Sequence, residues 1–276
     1  MRPADASAGD GRALDGLAKA LRPFYRLYEG WLGRQIQARE RPRHIGIILD
    51  GNRRHGRRHG LHDARDIYGL GARKLDDVLE WCGELALPAV TLWVCSTDNL
   101  ARPIDQVSGI LGAVEAKLRA LARDPLIHRR RVRVQAIGRL ELLPSPVAAA
   151  IEAACAATSG YDGMVLTIAV AYGGREEIAD AVHALLSEQA KLGAGMAEML
   201  DRITPAAIGR HLYMPGLPDP DLIIRTSGEA RISGFLLWQS AYSEFYFCDV
   251  AWPAFRKIDF LRAVRSYQHR QRRFGR

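Results

Sequence analysis

The chain is poor in cysteine. Its four, Cys82, Cys95, Cys155 and Cys248, are scattered through 276 residues with no CxxC pair. That excludes the disulfide framework of a small secreted domain and a zinc site built on paired thiols. No apolar run approaches the ~20 residues needed to span a bilayer. The longest, Met164 to Ala171, has the length of a strand. The opening MRPADASAGDGR lacks the apolar core of a secretion signal, so reduced thiols in a cytoplasmic protein are expected. HExxH and GxSxG are absent too, which removes the zincin and serine-hydrolase signatures. Acidic residues are in deficit: 31 Asp+Glu against 39 Lys+Arg, a net charge of +8. The excess favours phosphates, nucleic acid or an acidic membrane surface without choosing among them. A hydrophobic fraction of 48% excludes a wholly disordered chain.

Met1 to Arg12 are small and polar, the composition of a mobile terminus. From Ala13 to Arg39, Leu14, Leu17, Leu21, Phe24, Tyr25, Tyr28, Trp31 and Leu32 recur at helical spacing between basic residues. This predicts an amphipathic helix, kinked or broken at Pro23. Aromatic stripes are usually core, so packing on its own domain is expected, with contact to a membrane surface as the alternative. Beyond it, β-rich runs at Ile45–Leu49, Val90–Cys95, Val132–Ile137, Met164–Ala171, Leu222–Ile224 and Phe245–Phe247 follow one another. Helical stretches at Ile67–Leu85, Ile104–Ala122, Ser145–Ala156 and Glu176–Ala190 lie between the earlier ones. The alternation predicts a single α/β domain: a mainly parallel central sheet flanked by helices, with an N-terminal helix. In such sheets ligands bind at the carboxyl ends of the strands.

Two basic loops fall at such ends. In HIGIILDGNRRHGRRHG, Asp50 follows the strand, Gly51 permits a tight turn, and Asn52, Arg53 and Arg54 stand where a helix begins. A helix start with arginines suits a phosphate. Asp50 would repel that phosphate unless it holds Mg²⁺, which bridges the two. In DLIIRTSGEARISGFLLWQSAYSEFYF, Arg225, Arg231 and Ser233 would clamp a second diphosphate, unless the two arginines pair with Glu229 on the surface. Glu244 is a second metal carboxylate if the fold brings it near. Between these loops, VCSTDNLARP puts Ser96, Asp98, Asn99 and Arg102 at the second strand's end. Two diphosphates, a magnesium carboxylate and nearby apolar surface suggest the joining of two diphosphates with apolar tails. His55, His59 and His62 lack the glutamate and cysteine partners of a zinc site.

HIGIILDGNRR, STDNLARP, AYGGREEI, PDPDLIIRTSGEARISGFLLWQSAYSEFYF and the terminal RRFG resemble, in order and spacing, the cis-prenyltransferases of the undecaprenyl diphosphate synthase family. The likeness is closest to short-chain members that make a Z,E-farnesyl-type product. It implies an N-terminal region over 1–40 and a catalytic domain over 41–276. The resemblance implies Asp50 as the Mg²⁺ carboxylate and Glu244 as a second ligand. It implies an allylic diphosphate cradled by Gly51, Asn52, Arg53, Arg54 and His55, with Ser96, Thr97, Asp98 and Arg102 beside it. Isopentenyl diphosphate would sit on Arg225, Arg231, Ile232 and Ser233. Asn99 matches the asparagine assigned to proton removal, with a diphosphate oxygen as the other acceptor. A homodimer is implied, and Arg273, Phe274 and Gly275 match a tail motif that completes the isopentenyl site. Val94 stands where long-chain members carry a small residue, so a short product of about C15 is expected.

The chain departs from the pattern at His55 and Leu100, where tryptophans are usual, and at Ala171, where asparagine is. Arg65 and Tyr68 stand near the place of an expected Arg and His, one residue out of spacing. Other readings are a medium- or long-chain synthase and an Asp50-dependent phosphohydrolase, which lacks a second aspartate because position 52 is Asn. DDVLE at Asp76 to Glu80 resembles the metal motif of helical trans-prenyl synthases but is expected to be a solvated face. HRRRVR (His128 to Arg133) and RQRRFGR (Arg270 to Arg276) suggest a nucleic-acid binder, yet no recognised module accompanies them.

Overall fold

Six short runs rich in branched apolar or aromatic residues form one sheet in this computed structural model, which describes residues 27–36 and 38–270. They are β1 (His44–Ile48), β2 (Ala89–Trp93), β3 (Arg133–Ile137), β4 (Val165–Ala169), β5 (Leu222–Arg225) and β6 (Glu244–Phe247). Every neighbouring pair is parallel, in the order β3-β4-β2-β1-β5-β6. Parallel strands are covered on both faces by crossover helices and so need not alternate. HIGII in β1 and LIIR in β5 are accordingly buried at every position.

The helices are α1 (27–36), α2 (Asn52–Arg58), α3 (Ala64–Glu84), α4 (Ile104–Leu121), α5 (Pro125–Arg129), α6 (Ser145–Thr158), α7 (Gly174–Lys191), α8 (Met196–Asp201), α9 (Pro205–His211) and α10 (Lys257–His269). Asp63 caps α3 by accepting from the Arg65 N–H, and Ile67, Leu75, Val78, Leu79 and Cys82 make its buried stripe. The expected α/β architecture is present, and its strands and long helices lie close to the expected places. The short α5, α8 and α9 were not anticipated, because they are too brief to show periodicity, and the 13-residue α10 was not anticipated either. β2 stops at Trp93 rather than Cys95. The N–H groups of Val94 and Cys95 both reach the Ala169 carbonyl, which breaks the ladder, and Ser96 then bridges to Tyr172.

By compactness, 42–255 form one unit holding the whole sheet, and α1 groups with α10 in a second. In that second unit Tyr28 and Trp31 stack at 5.6 Å. Arg262 lies 5.7 Å from the Tyr28 ring and Arg265 5.3 Å from that of Trp31, both in α10. Leu32 and Ile36 are buried, while Leu27 and Trp31 stay exposed. The rest of the expected helix, Pro23 included, lies outside the described residues, as do Met1 to Arg12. Among the described residues no helix is long and apolar enough to cross a membrane.

The strand order turns around β1, with β2 on one side and β5 on the other. The crevice outside their carboxyl ends is the ligand position of an open α/β sheet. At the opposite end of β1, His44 is fully buried. Its Nδ1–H donates to the Pro218 carbonyl (2.7 Å), and Nε2 accepts from the Thr91 hydroxyl (2.8 Å). Burial lowers its pKa below 6.5, opposed by the Pro218 carbonyl and the Asp221 charge. The unfolded chain therefore takes up a proton the native state refuses. This contribution is complete above about pH 6.5 and declines as pH falls below it. Denaturant titrations between pH 8 and 5.5 are expected to show that decline, and His44→Gln to flatten it. An unchanged slope in the variant would assign the effect elsewhere.

Candidate active site

After β1 the chain reverses at Gly51, whose φ is +97°. A Cβ there would lie 2.8 Å from the Cβ atoms of both Ser227 and Ala251, so the close approach of three loops requires glycine. The preceding Asp50 is held through both its carboxylate and its backbone. Its Oδ1 accepts from the Gly51 N–H (2.6 Å) and its Oδ2 from Arg225 Nη2 (2.7 Å). Its own N–H donates to Thr226 Oγ1 (3.0 Å), and the Thr226 hydroxyl donates to its carbonyl (2.8 Å).

Arg225 ends β5 with its side chain only 6% exposed. Besides Asp50, its guanidinium donates from Nη1 to the Arg231 carbonyl (2.6 Å) and to Ser233 Oγ (2.8 Å). Its Nε is buried without a protein partner. The following loop takes left-handed φ at Ser227, Gly228, Ser233 and Gly234, a sharply folded path that curls around the guanidinium. Glu229 in this loop accepts from Arg54 Nη2 (3.1 Å) and Arg231 Nη1 (2.5 Å). Hydrogen bonds from Arg54 and then Arg231 hold its carboxyl below the ordinary range. Arg54 also donates to the Ser227 carbonyl (3.1 Å). Surface pairing with Glu229 therefore describes Arg231 but not Arg225, which turns inward to Asp50. One carboxylate joins the two basic loops.

At the end of β2, Ser96 and Asn99 cap a 3-10 turn reciprocally. Asn99 N–H donates to Ser96 Oγ (3.1 Å), and Ser96 N–H donates to Asn99 Oδ1 (3.2 Å).

These loops enclose a cavity of about 670 Å³ lined by seven arginines (53, 54, 57, 58, 102, 225 and 231) against two carboxylates, Asp50 and Glu229. Such an imbalance makes it an anion site. Gly51, Asn52, Ser96, Asn99 and Ser233 line it as expected, and so do Tyr68 and Cys95. Burial raises the Tyr68 hydroxyl's pKa, and that hydroxyl has no geometric partner.

His55, Thr97, Asp98, Ile232 and Glu244 are not among the lining residues. The His55 ring stacks on His59 at 4.1 Å, Thr97 Oγ1 donates to Glu176 (3.4 Å), and Asp98 is exposed. Glu244 opens β6 in register with Leu222, three residues before Arg225. At about 3.3 Å per residue that is ~10 Å back along the sheet, toward its amino edge. Among the described residues no group of three or more His, Cys, Asp or Glu is placed to hold a metal. Arg273, Phe274 and Gly275 lie outside the described residues. Thr226 and Glu229 were not anticipated as site residues; the polar TSGE following an apolar strand was the available signal.

The polar cavity opens into an apolar pocket of about 60 Å³ between α3, α4 and the sheet. Leu49, Asn52, Tyr68, Val94 and Ile110 line both, so they mark the passage between them. The motifs behind the other readings are otherwise engaged. His128 bonds with the Tyr161 hydroxyl (2.8 Å), Arg130 donates to the Leu79 carbonyl (3.3 Å) and Arg131 pairs with Asp162 (2.6 Å). In DDVLE, Asp76 pairs with Lys117 and Asp77 with Lys74.

A parallel α/β sheet with an arginine cavity leading to an apolar pocket defines an enzyme for anions that carry hydrocarbon groups. Residues 48–275 match the family described as "Putative undecaprenyl diphosphate synthase". The chain belongs to that family and is a cis-prenyltransferase that elongates prenyl chains. It is 54% identical to the isoprenyl transferase of Deinococcus radiodurans, over 90% of each chain. It is 51% identical to the (2Z,6E)-farnesyl diphosphate synthase of Thermobifida fusca, over 92% of this chain and 97% of that one. Among solved structures, lavandulyl diphosphate synthase of Lavandula x intermedia in complex with dimethylallyl diphosphate has a TM-score of 0.79. Its identity is 31%, covering 85% of this chain and 98% of the other.

Arg225→Lys keeps the charge but loses the fork that reaches Asp50, Ser233 and the Arg231 carbonyl together. A loss of about 1–3 kcal/mol is expected in denaturant unfolding, with weaker diphosphate binding by calorimetry. Wild-type values for both would remove the fork from this account.

Proposed function

We propose that the chain condenses isopentenyl diphosphate with geranyl or farnesyl diphosphate, releasing diphosphate and leaving a short Z-polyprenyl diphosphate, Z,E-farnesyl diphosphate in particular. The observation that carries this reading is the meeting of two arginine loops in one cavity whose inner wall opens into an apolar pocket. In the reaction the allylic C–O bond breaks and isopentenyl carbon attacks the cation. A proton then leaves to form the cis double bond.

The chain's groups divide the work. Asn52, Arg53, Arg54 and Arg102 bind the allylic diphosphate and stabilise charge on the departing group. Arg225, Arg231 and Ser233 hold isopentenyl diphosphate beside it. Diphosphate entering between Arg54 and Arg231 takes the position of the Glu229 carboxylate, which already brings the two guanidiniums together. The donor set suits Mg²⁺, which binds through one or two carboxylates and completes its shell with phosphate oxygens and water. Asp50, about one-third exposed and facing this cavity, is the residue that would hold it. When bound, the ion neutralises charge developing on the leaving diphosphate. Asn99 Oδ1 already accepts from Ser96, so Asn99 orients substrate while a diphosphate oxygen takes the proton.

The apolar pocket is small, about 60 Å³, which supports a short product. Val94, at its entrance, narrows it further. A cytoplasmic homodimer belongs to the same reading: the four cysteines are free thiols, and β6 is an edge strand with Phe247 exposed.

Incubation with Mg²⁺, isopentenyl diphosphate and geranyl or farnesyl diphosphate, with product sizing, tests the proposal. No incorporation would defeat it. Asp50→Asn, which keeps an acceptor for Arg225 but not its counter-charge, is expected to lower kcat by ~10²-fold or more and to lower the melting temperature without abolishing folding. Full activity would contradict the metal assignment. Val94→Ala is expected to lengthen the product on thin-layer radiochromatography, and an unchanged product removes Val94 from the account.

A further inference from the structure

The apolar pocket contains one charged lining side chain, Lys117 of α4. That side chain is 14% exposed, whereas its partner Asp76, on α3, is 53% exposed. Lys117 Nζ donates to Asp76 Oδ1 across the gap between the two helices. The four-carbon stem therefore runs along the pocket wall, and the ammonium emerges between α3 and α4 to meet a carboxylate at the surface.

The pair lies deep. Tyr68 and Ile110 mark the entrance, since each lines both cavities. Lys117 is seven residues beyond Ile110 and Asp76 eight beyond Tyr68, ~10–12 Å further along helices rising 1.5 Å per residue. At the entrance end the helices are already in close contact: a Cβ on Gly109 of α4 would lie 2.5 Å from that of Ala64 in α3. Further in, the ion pair spans them, with Leu118 and Leu121 the only α4 lining residues beyond Lys117 in sequence.

We infer that Lys117 sets the length of the product, its stem forming the end-stop of the tail pocket, and that Asp76 is the positioning residue that holds it there. This rests on the prenyl elongation proposed above. A growing tail passes Val94, follows α4 inward and meets the Lys117 methylenes. Going further requires displacing the stem, which would part the ammonium from Asp76 or draw it into hydrocarbon. Val94 narrows the entrance, while Lys117 closes the depth. Alanine at 117 removes the stem and opens the gap. Methionine fills the same space without charge.

The test compares full-length wild type, Lys117→Ala, Lys117→Met and Asp76→Asn with Mg²⁺, geranyl diphosphate and excess isopentenyl diphosphate. Lys117→Ala is expected to move the main product up by at least one C5 unit, with total incorporation within about threefold of wild type, since it lies outside the chemical site. Lys117→Met is expected to keep the wild-type length, and Asp76→Asn to spread the distribution upward. A wild-type product from Lys117→Ala overturns the proposal. Lengthening by methionine equal to that by alanine overturns the stem as the stop. Calorimetric binding of n-alkyl diphosphates of graded length gives a readout without turnover. Affinity is expected to stop rising at a shorter chain in wild type than in Lys117→Ala, and equal cut-offs overturn the inference. Should Lys117→Ala not fold, Asp76→Asn changes only an exposed side chain, and its wild-type distribution and cut-off would be equally decisive. Wild type failing to incorporate isopentenyl diphosphate would sink the proposed function, while the alkyl series would still decide on Lys117.

Discussion

The arrangement of the site depends on one buried cation. A guanidinium withdrawn from water is tolerable only when its donors are met and its charge is answered. Arg225 meets the second condition through Asp50 at the end of the neighbouring strand and the first in part, its terminal nitrogens binding Asp50, Ser233 and the Arg231 carbonyl while its Nε–H finds no protein acceptor. Because β1 and β5 are adjacent and parallel, their carboxyl ends lie side by side, and a single fork can bind both loops. Gly51 allows the approach, and Thr226 locks the Asp50 backbone from the other side. Asp50 therefore arrives at the cavity already oriented, with little side-chain freedom left to lose on binding.

Repulsion is the complementary constraint. Seven arginines around one cavity would drive its loops apart unless something negative stood among them. Asp50 answers the innermost and Glu229 the pair at the junction of the two loops. The carboxylate of Glu229 thus does what the proposed function assigns to a bound diphosphate. It keeps Arg54 and Arg231 within reach of a common anion, so the exchange of one for the other needs little rearrangement of the backbone.

Much of this was legible in the sequence. Apolar runs alternating with helical periodicity gave away the parallel sheet, because a strand buried on both faces has no polar face to disguise it. The two arginine loops could be read because glycine, arginine and carboxylate follow directly on apolar strands. Glu244, which the resemblance implies as a second metal ligand, begins β6, and parallel polarity places a strand's first residue at the opposite edge from the loops at the carboxyl ends. Thr97 and Asp98 were expected in the cavity with Ser96 and Asn99. A 3-10 turn points successive residues different ways, and the Ser96–Asn99 capping pair takes the inner position. Thr226 and Glu229 were missed because the polar TSGE after the strand marks a loop, while the partners that give these residues their roles come from strand adjacency.

The polar and apolar cavities are separate for a physical reason, and their separation explains how one fold can govern chain length. Guanidiniums keep water in the outer cavity, while Leu75, Leu92, Leu118 and Ile168 exclude it from the inner one. A diphosphate with a hydrocarbon tail can satisfy both only by lying across the passage at Val94 and Ile110, which fixes its reacting carbon near the boundary. Each condensation then adds carbon at that fixed point, so the tail advances inward while the chemistry stays in place. Growth ends when the next advance costs more than apolar burial returns, roughly 25 cal/mol per Å². The inner pocket is walled by helices already in contact near its mouth, so room can come only from its depth. On the proposed reading, product length is decided by side chains far from the reacting atoms, and it can change without altering the groups that bind the diphosphates.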